Sequence, residues 1–547
     1  MRKHAPRYIA LVGGIVGSLG GCVGGDGLTI VNDNNPDVDR AYSSAAGVEA
    51  IIAGLGIQIF NPSRASESVN TQAKILSGEG YATVANFGMA VRAAIPRGSI
   101  SNELGNDNQV GNLANFNTFS RTSRSASNAI AALNLLNTNG QSTSTAITDA
   151  RARAFGYLML GQSLGNLALA YDSAAIISPL TKADSLPPLS SAKDVMAAAI
   201  SAIDSAVNIA NSPVAVGGGA AFTLPSTWIN GPSVDRATFI RIARSYRARY
   251  RAGVARNVAE RAAVDWTKVI DDATNGITAD YTVTLSAGIW TATYDVSQSY
   301  VSTGWHSMPY FYYGMADVSG GYDAWLATPR DQRVAFLVVT PDKRWPSGTT
   351  RAAQQADAPT VILPAGRYFR NRATSEDVPI VGPGDSFYDV RRYGGINRNS
   401  LNGPYVEISK GEIDMLAAEG HLRAGNFAAA ATLINVSRER NGLAPISGIT
   451  SLTQPISTNL ATCVPRVPKA PEFTTTECGN IFEAMKYEKR MESTFTGYMV
   501  WFADNRGWGD LIEGTAVEWP VPYQEMQART TSYYNGTKRA PRGTYGF

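Results

Sequence analysis

Apolar residues recur at helical spacing through most of this chain. Ala41, Ala45, Val48 and Ile52 are an early example, and the same spacing returns many times further along. Residues three and four apart lie on one face of an α-helix, so this pattern predicts amphipathic helices rather than strands. We therefore predict a mainly α fold.

Several of the strongest helical segments are separated only by short turns. These segments are 125–136, 148–171, 191–211, 233–252, 259–275, 405–424, 426–441 and 480–504. They are rich in Ala, with Gly and other small residues where neighbours would touch, and a single helix pair of this size cannot bury both faces alone. We predict stacked helix-turn-helix pairs resembling tetratricopeptide repeats, clearest at 405–441. The spacing between pairs is irregular, so no fixed repeat period is predicted.

The pattern changes between about residues 276 and 400. This stretch is rich in Gly, Pro, Tyr, Thr and Trp and contains short β-like runs such as 334–340. Long loops in a compact protein are usually functional or disordered, and the aromatic content here argues against disorder. We predict an irregular, loop-rich region with short strands, packed on the helices and carrying a variable ligand site.

The first residues have the features of a lipoprotein signal peptide. A basic start precedes an uncharged run over 8–21, which is too short for a permanent membrane helix and ends in Leu-Gly-Gly before Cys22. We predict a signal peptide over 1–21, a lipid on the Cys22 thiol, a flexible Gly/Asn/Asp-rich tether over 22–37, and a folded domain over 38–547. An ordinary secretory signal with an unrelated cysteine is the alternative.

Charge gives no indication of nucleic-acid binding. The chain has 48 Lys+Arg and 45 Asp+Glu, and Arg2, Lys3 and Arg7 are the only ionised residues before Cys22. The rest of the chain therefore carries equal numbers of both signs, whereas a nucleic-acid-binding surface normally shows a basic excess. We find no further apolar run long enough to cross a membrane, so the lipid would be the only anchor.

Two cysteines remain beyond Cys22, and they bracket a proline-containing segment. An exported protein can oxidise Cys463 and Cys478, so we predict a disulfide between them; two free thiols are the alternative. Neither a CxxC motif nor a Cys/His cluster is present, and we predict neither a metal site nor a cofactor.

Ten aromatic residues fall within the 36 residues from 290 to 325, a share about three times the chain's 9%. Flat rings with polar tips suit sugars, because their faces stack on C–H groups while hydroxyls form hydrogen bonds. About half of these rings could instead pack beneath the loops as a small core. The residues that we predict to contact ligand are Trp290, Tyr294, Tyr300, Trp305, Tyr312, Tyr322 and Trp325.

A polar loop near residues 101–109 provides further candidates, Asn106 and Asp107, although a solvated Asn/Gly turn is the simpler interpretation. Gly161-Gln-Ser163-Leu-Gly165 matches the GxSxG pattern of serine hydrolases. It lies within a long helical segment, however, whereas a nucleophile elbow needs a strand before it and a helix after it. We therefore predict no catalytic residues.

Several segments, in order along the chain, resemble motifs of the SusD/RagB family of nutrient-uptake lipoproteins. The Leu-Gly-Gly-Cys sequence that ends at Cys22, a lipobox, and an Asn-Pro tether come first. Residues 150–169 are similar to an early family helix. Residues 412–419 and 430–443 match two further helices well. Residues 487–506 and the Pro-Val-Pro at 520–522 resemble the family's C-terminal part, except that Tyr498 stands where the family has arginine.

This resemblance implies a fold of tetratricopeptide-like helix pairs whose variable half binds a glycan or another nutrient without catalysis. It also implies a lipid-anchored protein of the outer membrane, at the cell surface, that covers a SusC-like TonB-dependent barrel. On the residues alone two alternatives stay open. A glycoside hydrolase needs only two suitably spaced carboxylates, and a helical-repeat scaffold would bind other envelope proteins.

Overall fold

The computed structural model describes residues 41–82, 88–106, 109–182, 184–298, 306–357, 362–377, 384 and 386–547. The predicted signal peptide, Cys22 and the predicted tether lie outside these residues. Within them helices dominate, and the strands are short and paired. The predicted mainly α fold of helix-turn-helix pairs is confirmed.

Helices and strands are numbered here in chain order. The helices are α1 (Ala45–Ser63), α2 (Val69–Leu76), α3 (Met89–Ala93), α4 (Gln109–Thr138), α5 (Ala146–Ala170), α6 (Ala192–Ala210), α7 (Pro213–Gly217), α8 (Ser226–Ile229), α9 (Arg236–Gly253), α10 (Val258–Ala262), α11 (Trp266–Thr274), α12 (Thr293–Gln298), α13 (Tyr310–Tyr313), α14 (Gly321–Ala327), α15 (Arg351–Asp357), α16 (Gly394–Arg398), α17 (Lys410–Arg423), α18 (Phe427–Arg440), α19 (Ile481–Glu492), α20 (Val500–Trp508) and α21 (Tyr523–Ala528). The strands are β1 (Tyr81–Ala82), β2 (Ser173–Ala175), β3 (Leu189–Ser191), β4 (Tyr281–Leu285), β5 (His306–Ser307), β6 (Phe369–Asn371), β7 (Tyr388–Val390), β8 (Gly403–Ile408), β9 (Arg466–Pro468) and β10 (Thr476–Cys478).

The long helices α1, α4, α5 and α6 pack side by side around the larger hydrophobic core. Thr145 begins α5 with a capping box, and the Ser191 hydroxyl accepts a hydrogen bond from the first turn of α6. Helix α1 is long and apolar enough to cross a membrane by length and composition, contrary to the sequence expectation. In the structure Val48, Ile52 and Leu55 are fully buried in the core.

The GxSxG segment lies inside α5, and its glycines mark places where other elements approach closely. A Cβ atom on Gly161 would lie 2.9 Å from the Ala199 carbonyl oxygen of α6, and one on Gly165 would lie 2.5 Å from the Tyr250 ring of α9. Ser163 is fully buried between them. The segment therefore lies within a helix, as predicted, and its glycines allow α6 and α9 to approach closely.

We expect Gly165→Ala to lower the free energy of unfolding by about 1–3 kcal/mol, because the added methyl group overlaps a ring held in place by its hydroxyl. That hydroxyl of Tyr250 lies 2.9 Å from Asn166 Oδ1. Urea unfolding measures the change. Gly54→Ala in α1 is the matched control, since a Cβ there would meet only the Gln58 side chain at 3.7 Å. It should leave stability unchanged or raise it by up to about 1 kcal/mol, and equal losses in both variants would contradict the packing argument.

Helices α9, α11, α17, α18 and α19 form the second group of packed helices. Gly425, with φ +76°, makes the turn between α17 and α18. Two buried carboxylates of α17 face arginines of the preceding elements. Glu412 binds Arg249 through two hydrogen bonds of 2.7 Å, and Glu419 binds Arg261 at 3.0 and 2.6 Å.

Five predicted elements differ in the structure. The predicted helix 125–136 is the later part of the longer helix α4. Residues 405–408 belong to strand β8, because Ser409 caps the N-terminus of α17 through the Glu412 amide. The predicted helix 480–504 is two helices, interrupted where Phe495, Gly497 and Met499 have positive φ. The predicted helix 259–275 is also two helices, α10 and α11. Residues 334–340 form no strand.

The predicted loop-rich region surrounds a second core, made largely of aromatic rings. Strand β4 pairs with β8, β6 with β7, and β1 with β5, all antiparallel. Strands β9 and β10 form a hairpin closed by the predicted disulfide, which the structure contains: Cys463 and Cys478 are bonded, with Cα atoms 5.7 Å apart.

Helix α2 is held by residues more than 400 positions further along the chain. The Asn70 side chain donates to the Gly497 carbonyl at 3.3 Å and accepts from the Met499 amide at 2.7 Å. The Trp519 indole donates to Gln72 Oε1 at 3.1 Å. These contacts join the beginning and the end of the described chain inside one core.

Candidate functional site

The aromatic segment is mainly core, which corrects the prediction of a ligand-binding surface there. Trp290, Tyr294, Tyr312, Tyr322 and Trp325 are each at most 6% exposed. A ring this deeply buried cannot stack on a soluble ligand. The predicted alternative, a satellite core beneath loops, describes these five residues, whereas Tyr300 and Trp305 lie outside the described residues.

These rings pack on other rings, and the hydroxyls of Tyr312 and Tyr322 are satisfied inside the protein. The ring of Tyr312 lies 6.0 Å from that of Trp501, and its hydroxyl donates to the Asp510 carbonyl. The Tyr322 hydroxyl donates to the Phe311 carbonyl at 2.6 Å. Burial raises the pKa of both tyrosines, so both stay neutral donors.

The predicted polar loop uses much of its hydrogen-bonding capacity internally. The Asn106 amide group donates to the Ser101 carbonyl at 2.8 Å, and its backbone amide donates to the Glu103 carbonyl at 3.0 Å. The simpler interpretation, an Asn/Gly turn, therefore describes Asn106, and Asp107 lies outside the described residues. The loop nevertheless borders an aromatic surface that the sequence interpretation missed.

Tyr533 and Tyr534 are the most exposed aromatic side chains in the part of the chain that the structure describes, at 42% and 38%. Asn102 fixes this segment to the polar loop by donating to the Tyr534 carbonyl at 3.0 Å. Asn535 donates to Glu103 Oε1 at 3.2 Å. We call this the tyrosine surface, and its members are Tyr523, Tyr533, Tyr534, Glu103, Asn106 and Asn535.

The rings of the tyrosine surface are held at defined angles. Tyr523 and Tyr533 lie 6.4 Å apart between ring centres, at 68° to each other. The Tyr534 hydroxyl lies 2.8 Å from both carboxylate oxygens of Asp172. Partial burial and the Asp172 carboxylate raise the pKa of Tyr534 to about 12, so the phenol stays protonated and remains a donor.

A groove of about 470 Å³ adjoins this surface at Asp172. Helix α6 and the segment after α9 form its walls, with Met196, Ile200 and Val254 as apolar lining. Such a volume fits a small organic molecule or a short saccharide. Exposed rings beside a partly apolar groove with polar edges can stack on sugar faces and hydrogen-bond to hydroxyls.

Asp172 and Glu518, two of the carboxylates that line the groove, are already engaged with protein groups. Asp172 accepts from Tyr534 and from the Ser173 hydroxyl at 3.0 Å. Glu518 pairs with Lys538 at 2.8 Å and with Arg256 at 3.4 Å. A general acid or nucleophile needs an oxygen directed at the substrate, and these oxygens are directed at protein groups.

One local signal could have indicated the tyrosine surface. Tyr533 and Tyr534 are adjacent and stand within the polar segment Thr-Thr-Ser-Tyr-Tyr-Asn-Gly-Thr-Lys. Two neighbouring aromatics without apolar residues around them have no helical face to bury them. A high local density of aromatic residues, by contrast, indicates a buried core as readily as a binding surface.

Comparison with known proteins finds similarity in solved structures. No protein-family model and no curated protein matches the sequence. One matching structure is a SusD-like carbohydrate binding protein from Bacteroides fragilis, 12% identical, covering 92% of this chain and 96% of its own, with a TM-score of 0.54. Another is a SusD superfamily protein from Parabacteroides distasonis, 9% identical, covering 90% and 98%, with a TM-score of 0.55. At these identities the similarity concerns the fold.

Proposed function

Because this chain has the SusD fold, we propose that it is a non-catalytic binding lipoprotein of the outer membrane that captures a glycan or another nutrient. It delivers this ligand to a SusC-like TonB-dependent transporter. The Bacteroides fragilis protein of the same fold is described as carbohydrate binding, which supports a glycan as the first ligand to test.

The observation that carries this proposal is the tyrosine surface. Its rings are exposed although most aromatic side chains of the described chain are buried, and exposed aromatic groups rimmed by polar ones mark binding sites. Asn535, next to Tyr534 in sequence, hydrogen-bonds to Glu103, and Asn106 belongs to the same polar loop. A saccharide would stack on Tyr533 and Tyr534 and extend toward the groove at Asp172.

We expect Tyr533→Ala and Tyr534→Ala each to weaken glycan binding about thirtyfold, because removing a central aromatic anchor costs about 2 kcal/mol. A glycan array identifies the ligand, and calorimetry on the best neutral hit measures the affinity of each variant. Tyr534→Phe keeps the ring and should retain most of the binding.

Two controls separate binding from folding. Leu180→Ala removes a side chain that is 95% exposed elsewhere, and it should change neither affinity nor stability. Tyr322→Ala removes a core ring, so it should lower the melting temperature while folded molecules bind normally. Unchanged affinity in both surface tyrosine variants would show that the glycan binds elsewhere. Shortened glycan products during the assay would favour the hydrolase alternative.

The lipid anchor is tested at Cys22. Since the predicted signal peptide ends directly before Cys22, whose thiol would carry the lipid, we expect Cys22→Ser to transfer the protein from the membrane fraction to a soluble fraction, even when the transporter is absent. Fractionation with immunoblotting measures this. If the variant still sediments with outer membrane in cells lacking the barrel, the lipid is not the anchor.

The transporter partner is tested by co-purification. A tagged form of this protein, extracted in mild detergent, should retain a TonB-dependent barrel encoded beside it. Recovery of envelope proteins but no barrel would favour the scaffold alternative.

A further inference from the structure

A second cavity, separate from the tyrosine surface, lies where three distant parts of the chain meet. Its volume is about 370 Å³. Residues 326–333 after α14 form one wall, Glu472 and Phe473 of the disulfide-closed hairpin form another, and residues 542–547 form the third.

Three arginines line this cavity, against a single carboxylate side chain, that of Glu472. Arg330 and Arg542 are exposed and Arg333 is partly buried, and none of the three has an ion-pair partner among the described residues. Burial and the neighbouring Arg330 lower the pKa of Arg333, which reflects a cation without a counter-ion.

Arg333 and Arg542 are held in position by contacts that leave donors free. The Arg333 guanidinium stacks over the Trp325 ring at 4.1 Å and donates to the Leu326 and Thr328 carbonyls at 3.1 Å. Arg542 lies over the Phe473 ring at 4.9 Å and uses Nε for the Gly546 carbonyl. A guanidinium has five N–H donors, so further donors remain on both residues.

The walls are also braced against each other. Asp323 of α14 binds Arg466 of the hairpin at 3.1 Å and accepts from the Thr476 amide. The C-terminal segment packs so tightly on Phe473 that a Cβ on Gly546 would lie 2.4 Å from the ring. A cavity built this way needs little reordering on binding, which favours affinity.

We propose that this cavity binds the anionic group of an acidic saccharide, a carboxylate or a sulfate. Planar guanidinium groups pair with such anions through two parallel hydrogen bonds, and three of them neutralise a charge that the rest of the cavity does not. The saccharide part of this inference rests on the proposed function, whereas the anion preference rests on the arginines alone. The cavity would thus select ligands by charge, whereas the tyrosine surface would select them by ring stacking.

The test is calorimetry with trigalacturonate and with its neutral methyl ester. We expect the acid to bind at least about tenfold more tightly than the ester, as charged hydrogen bonds are lost with the carboxylates. The double variant Arg330→Gln/Arg542→Gln should bind trigalacturonate about tenfold more weakly and should abolish its preference over the ester. Arg121→Gln, an exposed arginine of α4, is the matched control and should change nothing.

A sulfated trisaccharide forms the second arm and identifies the anionic group. Tighter binding of the sulfate ester than of trigalacturonate, again lost in the double variant, would assign the cavity to sulfate. Equal affinities of parent and double variant for both anionic ligands, or no binding of either one, would overturn the proposal. Tyr533→Ala distinguishes the two sites. If this variant alone loses affinity for neutral glycans, the proposed function is supported, whatever the affinities of the arginine variants are.

Discussion

Glu419→Ala should lower the free energy of unfolding by about 3–5 kcal/mol, because it leaves a buried guanidinium without its main counter-ion. Arg261 and Glu419 are both fully buried, and Glu419 accepts two hydrogen bonds from Arg261 and two from Arg423. In the variant Arg261 would keep only Asp504 at 3.1 Å and a backbone carbonyl. Urea unfolding at pH 7 measures the loss.

The same carboxylate gives the parent protein an acid-sensitive contribution to stability. Burial would raise the pKa of Glu419, but Arg261 and Arg423 outweigh it and lower the pKa to about 2 from an ordinary 4.5. The folded-state pKa lies below the unfolded one, so this stabilisation is present above about pH 4.5 and is lost as the pH falls toward 2. Glu419→Gln should lack this contribution.

Two variants test whether the burial of the Arg261–Glu419 pair explains the large expected loss of stability. Lys268→Ala breaks an ion pair whose side chains are 63% and 50% exposed, and it should cost at most about 1 kcal/mol. Replacing both charges, with Arg261→Met and Glu419→Leu together, should recover much of the loss, because the buried guanidinium is removed together with its counter-ion. Asp504 keeps Lys489 as a partner, and Arg423, which loses Glu419, is partly exposed. If Glu419→Ala were no worse than Lys268→Ala, the buried pair would contribute little.

Arg344→Met should cost at least about 3–5 kcal/mol at neutral pH, since it removes the central cation from a group of buried carboxylates. Arg344 is fully buried and binds Asp342 at 2.7 Å, Glu488 at 3.0 Å and Glu492 at 3.0 Å. Without it, carboxylates of 0–3% exposure would face one another with fewer compensating cations.

The contribution of Glu492 to the pH dependence of stability should have opposite signs in this variant and in the parent. In the parent, burial raises the pKa of Glu492 but Arg344, Arg440 and Arg392 lower it to about 2, so its stabilisation is present above about pH 4.5 and lost below. In Arg344→Met the folded-state pKa should rise above 4.5. Stability is then greatest below about pH 4.5 and falls as the pH rises.

Urea midpoints between pH 4 and 8 give this profile. Arg440→Met is the matched control, because Arg440 contacts the same carboxylate of Glu492 from a side chain that is 53% exposed. This substitution should lower the free energy of unfolding by about 1 kcal/mol or less. The pH dependence of its stability should have the same sign as in the parent. A parallel pH profile for the two variants would contradict the argument.

Helices could be predicted from the sequence because their signal is local. Spacing of three and four residues needs only neighbours in the chain, and α5, α6 and α18 begin and end within two residues of the predicted bounds. The sequence interpretation missed those element boundaries that a capping side chain sets. Ser409 ends a strand and begins α17 although apolar residues continue through both.

The candidate site was less predictable, because exposure depends on residues far apart in sequence. Tyr313 is buried by Trp501, at 5.3 Å between ring centres, and by Phe369, at 5.5 Å. No spacing rule within residues 290–325 contains that information. The polar loop lies beside exposed rings, but the rings that flank it come from a segment more than 400 residues away.

The contacts between α2 and the C-terminal part also set a lower limit on when folding can finish. Asn70 and Gly497 are 427 residues apart, and a ribosome adding about 5–20 residues per second needs roughly 20–85 s to make that interval. During this time the residues of α2 lack the groups that satisfy them in the native core. A chain with such late partners stays unfolded long enough for a chaperone or a translocation channel to engage it before its core closes.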